Sequence, residues 1–238
     1  MNPLDTRPRS VALIGLGPSL REYLHDSFRK KNVFHVDEVW GINTAHRPLK
    51  VDKIWTMDDL HGTLSHNYSD WANELRLETK PIITCKQYDD FPTSVAYPID
   101  AVQDYYKSDF FNTTIAYALA YAGFIGVETL YIYGIDFYYP NAQMVESGLG
   151  GASYWLGRIE EKGVRYKIPA SSTLLDAHMT QFDEKDGRHV ARRMRYGYDY
   201  NPQDAKRKVQ MGSEDPALIA AAGKAYKTDN PKDEVLPK

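Results

Sequence analysis

"SVALIGLGPSLREYL", residues 10–24, is the stretch on which the fold turns. An apolar run over 10–15 meets Gly17, Pro18 and Ser19, and an amphipathic helical pattern takes over from 19 to 30. A short apolar run bounded by glycine reads as a buried strand, and a strand turning tightly into a helix is half of a parallel βαβ unit. Gly15 and Gly17 let the backbone turn sharply and approach a ligand. Pro18 suits the helix entry, and Ser19 with Glu22 spells the S-x-x-E capping box. Such a helix start presents N–H groups to an anion, so the expected occupant of the turn is a phosphate.

The alternation continues. Strand-like bursts fall at 37–43, 52–59, 80–86 and 127–137, with a last one at 164–169. Helical patterns lie at 68–78, 112–126 and 152–163. This order predicts an α/β, Rossmann-like, mostly parallel sheet with helices on both faces. "VETLYIYGIDF" (127–137) is apolar on both faces, which suits an interior strand. "YYPNAQMVESGLGG" (138–151) reads as a loop whose small residues suit either a mobile lid or a plain surface connection. From Glu184 onward the chain turns polar and basic, with 12 Lys/Arg against 9 Asp/Glu, a net of +3; residues 1–183 carry −6. The organisation expected is a nucleotide-binding transferase domain over 1–183 and a polar, basic, partly disordered C-terminal extension over 184–238.

With 238 residues, 42% of them apolar and 26% charged, the chain can bury a full core. A net charge of −3 gives no general reason to bind nucleic acid. Only the basic tail leaves that contact open, beside a homo-oligomer contact or a docking arm, and a solvated extension is favoured over all three. Cys85 is the sole cysteine, which excludes a disulfide framework and a multi-cysteine zinc site; it reads as a small buried residue at a strand end. No apolar run is long enough for a membrane span, and the opening residues do not form a signal peptide, so a cytoplasmic protein is expected. The seven histidines form no H-x-x-x-H pair, and neither a G-x-S-x-G elbow nor a Walker A lysine occurs. No metal-ligand set stands out.

The opening turn departs from the dinucleotide fingerprint. Leu20 replaces its third glycine, and Asn43 closes the second strand where an NAD site carries Asp or Glu. The asparagine amide can still bond a ribose or a base. Asn112 or Thr113 can cap the helix over 112–126 and give a second anion-attracting helix start. Asp136 follows the most apolar strand. An acid there is either a site residue or a structural acid bonding loop amides.

"IGLGPSLREY", "WGINTA", "TMDD", "NTTIAYALAYAGFIGVETLYIYGIDFYYPN" and "YKIPASSTLL" stand in the order seen in bacterial sialyltransferases of glycosyltransferase family 42. The chain also resembles the wider superfamily that includes archaeal 6-hydroxymethylpterin diphosphokinase. The resemblance covers about residues 10–176 and is best from Thr114 to Tyr138. It implies a Rossmann-like nucleotide-binding sheet and a CMP-linked sugar donor used without an essential metal. By position, Gly15, Gly17 and Ser19 belong to the phosphate turn, Asn43 matches the nucleotide-binding asparagine, and Asp58 falls near another polar ligand position. Thr113 and Thr114 would lie beside the donor, and Tyr138 matches a tyrosine bonding the leaving phosphate, with Asp136 next to it. The family's Gly-Asn-Gly reads Gly15-Leu16-Gly17 here, and its lid histidine has no counterpart between Tyr139 and Gly157. Glu146 is the residue there that could replace it as a base.

Three functions follow. The first is a transferase, glycosyltransferase-like, taking a nucleotide or nucleotide-sugar and a small-molecule or glycan acceptor, with no cofactor. The second is a diphosphokinase acting on a hydroxymethyl heterocycle, which needs Mg²⁺ and would draw on Asp58, Asp59 and Asp136 as oxygen ligands. The third is a non-catalytic nucleotide-binding or assembly module.

Overall fold

The computed structural model describes residues 3–28, 35–62, 69–137, 142–176, 179–183 and 188–192, all within one compact unit, Met1–Arg193. Among them, β1 (Ser10–Ile14), β2 (Glu38–Ile42), β3 (Lys53–Trp55), β4 (Ile82–Thr84), β5 (Ser94–Ala96), β6 (Thr129–Tyr133) and β7 (Arg165–Lys167) form one sheet. Its order is β5-β4-β3-β2-β1-β6-β7, and every pairing is parallel. The helices are α1 (Leu20–Phe28), α2 (Ser69–Arg76), α3 (Ile99–Tyr106), α4 (Thr114–Phe124) and α5 (Ala142–Glu161). The chain steps outward from β1 to β5, then crosses back to place β6 on the far side of β1. That reversal is the topological switch point of a Rossmann-like sheet, where such folds bind ligands at the strands' carboxyl ends.

Alternation along the strands sorts the core. Leu13, Trp40, Trp55 and Ile83 share one face with α3, α4 and α5. Ile54 and Ile82 point to the other and pack on Trp71, Ala72 and Leu75 of α2. The register Ile54↔Gly41↔Ile14↔Tyr133 puts Tyr133 on this second face. There its ring meets Tyr23 of α1 at 5.4 Å. Helix α4 is apolar on nearly all sides because it lies inside the domain, with eight of its eleven residues buried. Gly123 makes that possible: a Cβ there would stand 2.1 Å from the Tyr106 hydroxyl and 2.9 Å from Ile159, so α3 and α5 close in on bare backbone.

Several expectations change. Residues 142–151, read as loop, are the first half of α5. Their glycines serve packing: a Cβ on Gly148 would sit 2.4 Å from the Phe137 ring, and one on Gly151 would sit 2.0 Å from Asn112 Oδ1. Glycines three apart are neighbours on a helix face and let a helix lie close to its support. The segment 94–106, left unassigned by its pattern, holds β5 and α3. A three-residue strand is too short to show a period, and α3 starts behind Pro98 and closes at Lys107, whose φ is 53°. The strand expected to be last is followed by an antiparallel hairpin, β8 (Met179–Asp183) with β9 (Arg188–Arg192). The remainder of the extension from 193 lies outside the described residues. Cys85 does stand just past β4 but is exposed, its Sγ 3.3 Å from the Tyr88 hydroxyl. No helix among the described residues is long and apolar enough to cross a membrane.

Candidate functional site

A cleft of about 260 Å³ opens at the switch point. Its walls are the loops that follow β1, β2 and β6, closed on one side by Ile115 in the first turn of α4. Gly15, Gly17, Asn43 and Asp136 all line it.

The glycines are explained first by how two loops meet. Gly15 N donates to Tyr133 O at 2.8 Å, and Gly17 N donates to Gly134 O at 2.7 Å. A Cβ on Gly15 would lie 2.4 Å from Gly134 O, and one on Gly134 would lie 2.3 Å from Gly15 O. Gly134 also holds φ at 65°, a region open to glycine at little cost. The turns after β1 and β6 are thus interlocked backbone against backbone, which any side chain would force apart.

The expected capping box does not form. Ser19 is fully buried, and its amide donates to Asp136 Oδ2 at 2.7 Å rather than to Glu22. Its hydroxyl donates to Asp136 Oδ1 at 2.8 Å and accepts from Gly134 N at 2.8 Å. Glu22 Oε1 instead accepts from Ser171 N at 2.9 Å. The start of α1 therefore already holds an anion, and that anion is the chain's own carboxylate. The free amides expected at this helix start are taken: Leu20, Arg21 and Glu22 donate to the Gly17, Pro18 and Ser19 carbonyls. Of the turn's amides, Leu16 N–H is the one with no hydrogen bond among the described residues. Ser19 is a support of the site and lies behind its lining.

Asp136 resolves to the structural alternative in its contacts. It is 4% exposed, and besides Ser19 it accepts from the Ser172 hydroxyl at 2.5 Å, while its backbone carbonyl takes the Thr173 hydroxyl at 2.5 Å. One carboxylate thereby ties the loops after β1, β6 and β7. Ser172 and Thr173 belong to the S-S-T run 171–173, a hydroxyl cluster four residues past the end of β7, and that run is the signal the sequence carries for them.

Asn43 follows β2 directly in a left-handed conformation, φ 51°, tolerated by asparagine better than by most residues. Its carbonyl accepts from His46 Nδ1 at 2.9 Å. Its side-chain Oδ1 is buried and has no hydrogen-bond partner. A buried acceptor left unpaired costs about 1–3 kcal/mol, so this atom is unlike its satisfied neighbours. Phe137, missed in the sequence, lines the same cleft with φ 49°.

The second polar cluster is helix chemistry at its core. Thr113 caps α4, its side chain accepting from Ala116 N at 3.3 Å. Thr114 Oγ1 accepts from Met57 N at 3.4 Å and so joins α4 to the loop after β3. Neither lines the cleft, although Ile115 does. Asn112 takes no part in capping; its Nδ2 donates to Ser147 O at 2.6 Å and holds α5 in place. Asp58 is exposed beside Thr56 and outside the cleft lining. Asp59 is turned to Tyr88 Oη, and the His61 amide and the Tyr88 hydroxyl hold its carboxyl below the ordinary range. Among the described residues no group of three His, Cys, Asp or Glu is arranged to hold a metal ion, so Asp58, Asp59 and Asp136 do not assemble the Mg²⁺ set. Glu146 lies on the exposed side of α5. Tyr138 lies outside the described residues, one position beyond Phe137.

No protein-family model and no curated protein matches the chain. Among solved structures, the chain is similar to the sialyltransferase CstII from Campylobacter jejuni in complex with the substrate analogue CMP-3FNeuAc, at 16% identity and a TM-score of 0.49, covering 84% of this chain and 98% of that one. CstII with cytidine-5'-monophosphate aligns at 18% identity and a TM-score of 0.46, over 71% and 83% of the two chains. A point mutant of α-2,3/8-sialyltransferase CstII aligns at 16% and 0.48, over 83% and 99%.

Proposed function

We propose that the chain is a transferase using a nucleotide-activated donor, glycosyltransferase-like, with the donor's nucleotide in the switch-point cleft. The observation that carries this reading is Asn43: a left-handed residue in the lining of a cleft at the carboxyl ends of β1, β2 and β6, whose amide oxygen is buried and has no partner. A donor group of a ribose or base would satisfy it. The motif order from "IGLGPSLREY" to "YKIPASSTLL" supports the same reading.

In this reading Gly15, Leu16 and Gly17 approach the ligand by backbone, with the Leu16 N–H offered to it. Asp136 and Ser19 keep that turn in place, Ser19 from behind the lining. Thr113 and Thr114 fix the start of α4, which sets Ile115 against the cleft. Tyr138 follows the lining residue Phe137 and donates its hydroxyl to the departing phosphate, stabilising the charge that builds as the glycosidic bond breaks. The acceptor is a small molecule or a glycan.

The test is a calorimetric screen of CMP, UDP, GDP and adenine nucleotides against the full chain, with and without Mg²⁺, followed by the matching nucleotide-sugar with release of the nucleotide as readout. Binding and release without added metal are expected. Binding of none of them would end the nucleotide reading. Binding without release would leave a binding module, and AMP formation from ATP and a hydroxymethyl heterocycle that depends steeply on Mg²⁺ would favour the diphosphokinase class.

A further inference from the structure

We propose that His46 is a positioning residue of the cleft: it locks Asn43 in its left-handed conformation and so fixes the direction of the ligand-binding amide. This inference rests on the nucleotide reading for its ligand, but its backbone claim stands apart from it. The turn after β2 is a single 3-10 turn, Asn43–His46, with no side chain capping its start. Ala45 within it is fully buried, and Arg47 just past it is held by Glu74 through Nε at 2.7 Å and Nη2 at 3.0 Å. Arg47 N closes it onto Thr44 O at 3.1 Å, and the one side-chain bond onto the Asn43 main chain is His46 Nδ1–H to its carbonyl at 2.9 Å. A carbonyl accepts only, so the imidazole carries its proton on Nδ1.

The reason such a clamp matters is conformational. A non-glycine residue at φ 51° sits in a shallow well, and release to the extended region would swing the Asn43 side chain away from its place. Asn43 lines the cleft, and its Oδ1 is buried and unpaired, so where this side chain is held bears on what the cleft can recognise. A ligand that satisfies Oδ1 would then meet a group already aimed, and would not expend binding energy on ordering it. His46 itself does not line the cleft, which makes it a support of Asn43 and leaves the recognition to the asparagine. The spacing N-T-A-H carries this in the sequence: the ring three residues on reaches back across one turn of 3-10 helix to the carbonyl.

The experiment compares the full chain with His46→Leu, which removes the donor, and His46→Asn, whose Nδ2 can replace Nδ1. CMP, UMP, GMP and AMP serve as calorimetric probes. For whichever nucleotide the wild type binds, His46→Leu is expected to bind about tenfold more weakly while its melting temperature changes by no more than about 3 °C. His46→Asn is expected to restore most of the affinity. Equal affinity in wild type and His46→Leu, or no rescue by His46→Asn, would overturn the assignment; His46→Ala takes the place of the leucine variant should that one not fold. If the wild type binds none of the four, the nucleotide reading fails by itself. The clamp is then judged by the Asn43 backbone chemical shifts and HN–Hα coupling. A left-handed signature lost in His46→Leu supports it, and one retained removes it.

Discussion

Ser19 and Asp136, 117 residues apart in sequence, meet through two hydrogen bonds: Oδ2 takes the serine amide at 2.7 Å and Oδ1 takes its hydroxyl at 2.8 Å. A carboxylate at a helix start completes the first-turn amides and lies favourably in the helix dipole. Because the serine hydroxyl also accepts from Gly134 N, one oxygen atom links the turns after β1 and β6. Ser19→Ala leaves the buried Gly134 N–H without its acceptor and takes one of two donors from Asp136 Oδ1, the Ser172 hydroxyl remaining, and should cost about 2–4 kcal/mol. For a chain of this size that corresponds to a fall in melting temperature of roughly 4–16 °C. Denaturant unfolding of wild type and variant checks it; a loss under about 0.5 kcal/mol would show that the link carries no weight.

The glycines divide by what surrounds them. Gly17→Ala would place a Cβ 2.6 Å from Asp136 Oδ2 and 2.9 Å from Gly134 O, both held fast, so the variant should be destabilised by about 2 kcal/mol or more. Gly150 sits within α5 with nothing within 4 Å of a built Cβ. Gly150→Ala should therefore stabilise by about 0.4–1 kcal/mol, since alanine gives up less backbone freedom on folding. Gly148→Ala, with Phe137 at 2.4 Å, should go the other way although it lies two residues off on the same helix. Parallel thermal melts of the three variants give the signs directly. A common sign for all three would contradict the packing account.

Asp37 makes a pH prediction. Its Oδ2 accepts from Arg9 N and Ser10 N, each at 2.8 Å, and from Ser10 Oγ at 3.1 Å, tying the start of β1 to that of β2. The backbone bond from Ser10 is the foremost cause that holds this carboxyl below its ordinary value. A pKa lowered by folding contributes stability that is complete above the unfolded carboxylate value of about 4 and is lost as pH falls through the lower folded one. Asp37→Asn should thus be less stable than wild type at pH 7 and converge on it as pH drops below about 4. Denaturant midpoints measured across this range test the sign; a gap that widens in acid would refute it.

How legible the chain was depended on which interactions fixed each part. The β1–α1 turn, the buried β6 and the Thr113 cap follow from local patterning, and the structure has all three. Residues 142–151 misled because Gly148 and Gly151 serve contacts with Phe137 and Asn112, and glycines used for close approach look the same in sequence as glycines used for flexibility. Ser19 and Glu22 spell a capping box, but a stronger acceptor from 117 positions away took the serine. Asn43 could be found by position. Its left-handed backbone and its unpaired oxygen could not, since both depend on how β2 runs into the turn held by His46.

Asn43 and Tyr138 separate binding from chemistry. Asn43→Ala removes the amide that the donor nucleotide would satisfy, and affinity should fall by about 1–3 kcal/mol, roughly 5- to 150-fold. The same variant loses an unpaired buried oxygen and gives up an asparagine at φ 51°, two opposed effects, so its melting temperature should move little. Tyr138→Phe deletes only a hydroxyl. If that hydroxyl stabilises the leaving phosphate, it is felt more in the transition state than in the bound donor, and kcat should drop while affinity for the nucleotide stays near the wild-type value. Calorimetry with the nucleotide, run beside initial rates with the corresponding nucleotide-sugar, reads both variants on both axes. Equal turnover in wild type and Tyr138→Phe would remove the tyrosine from the reaction, and unchanged affinity in Asn43→Ala would move the nucleotide out of the switch-point cleft.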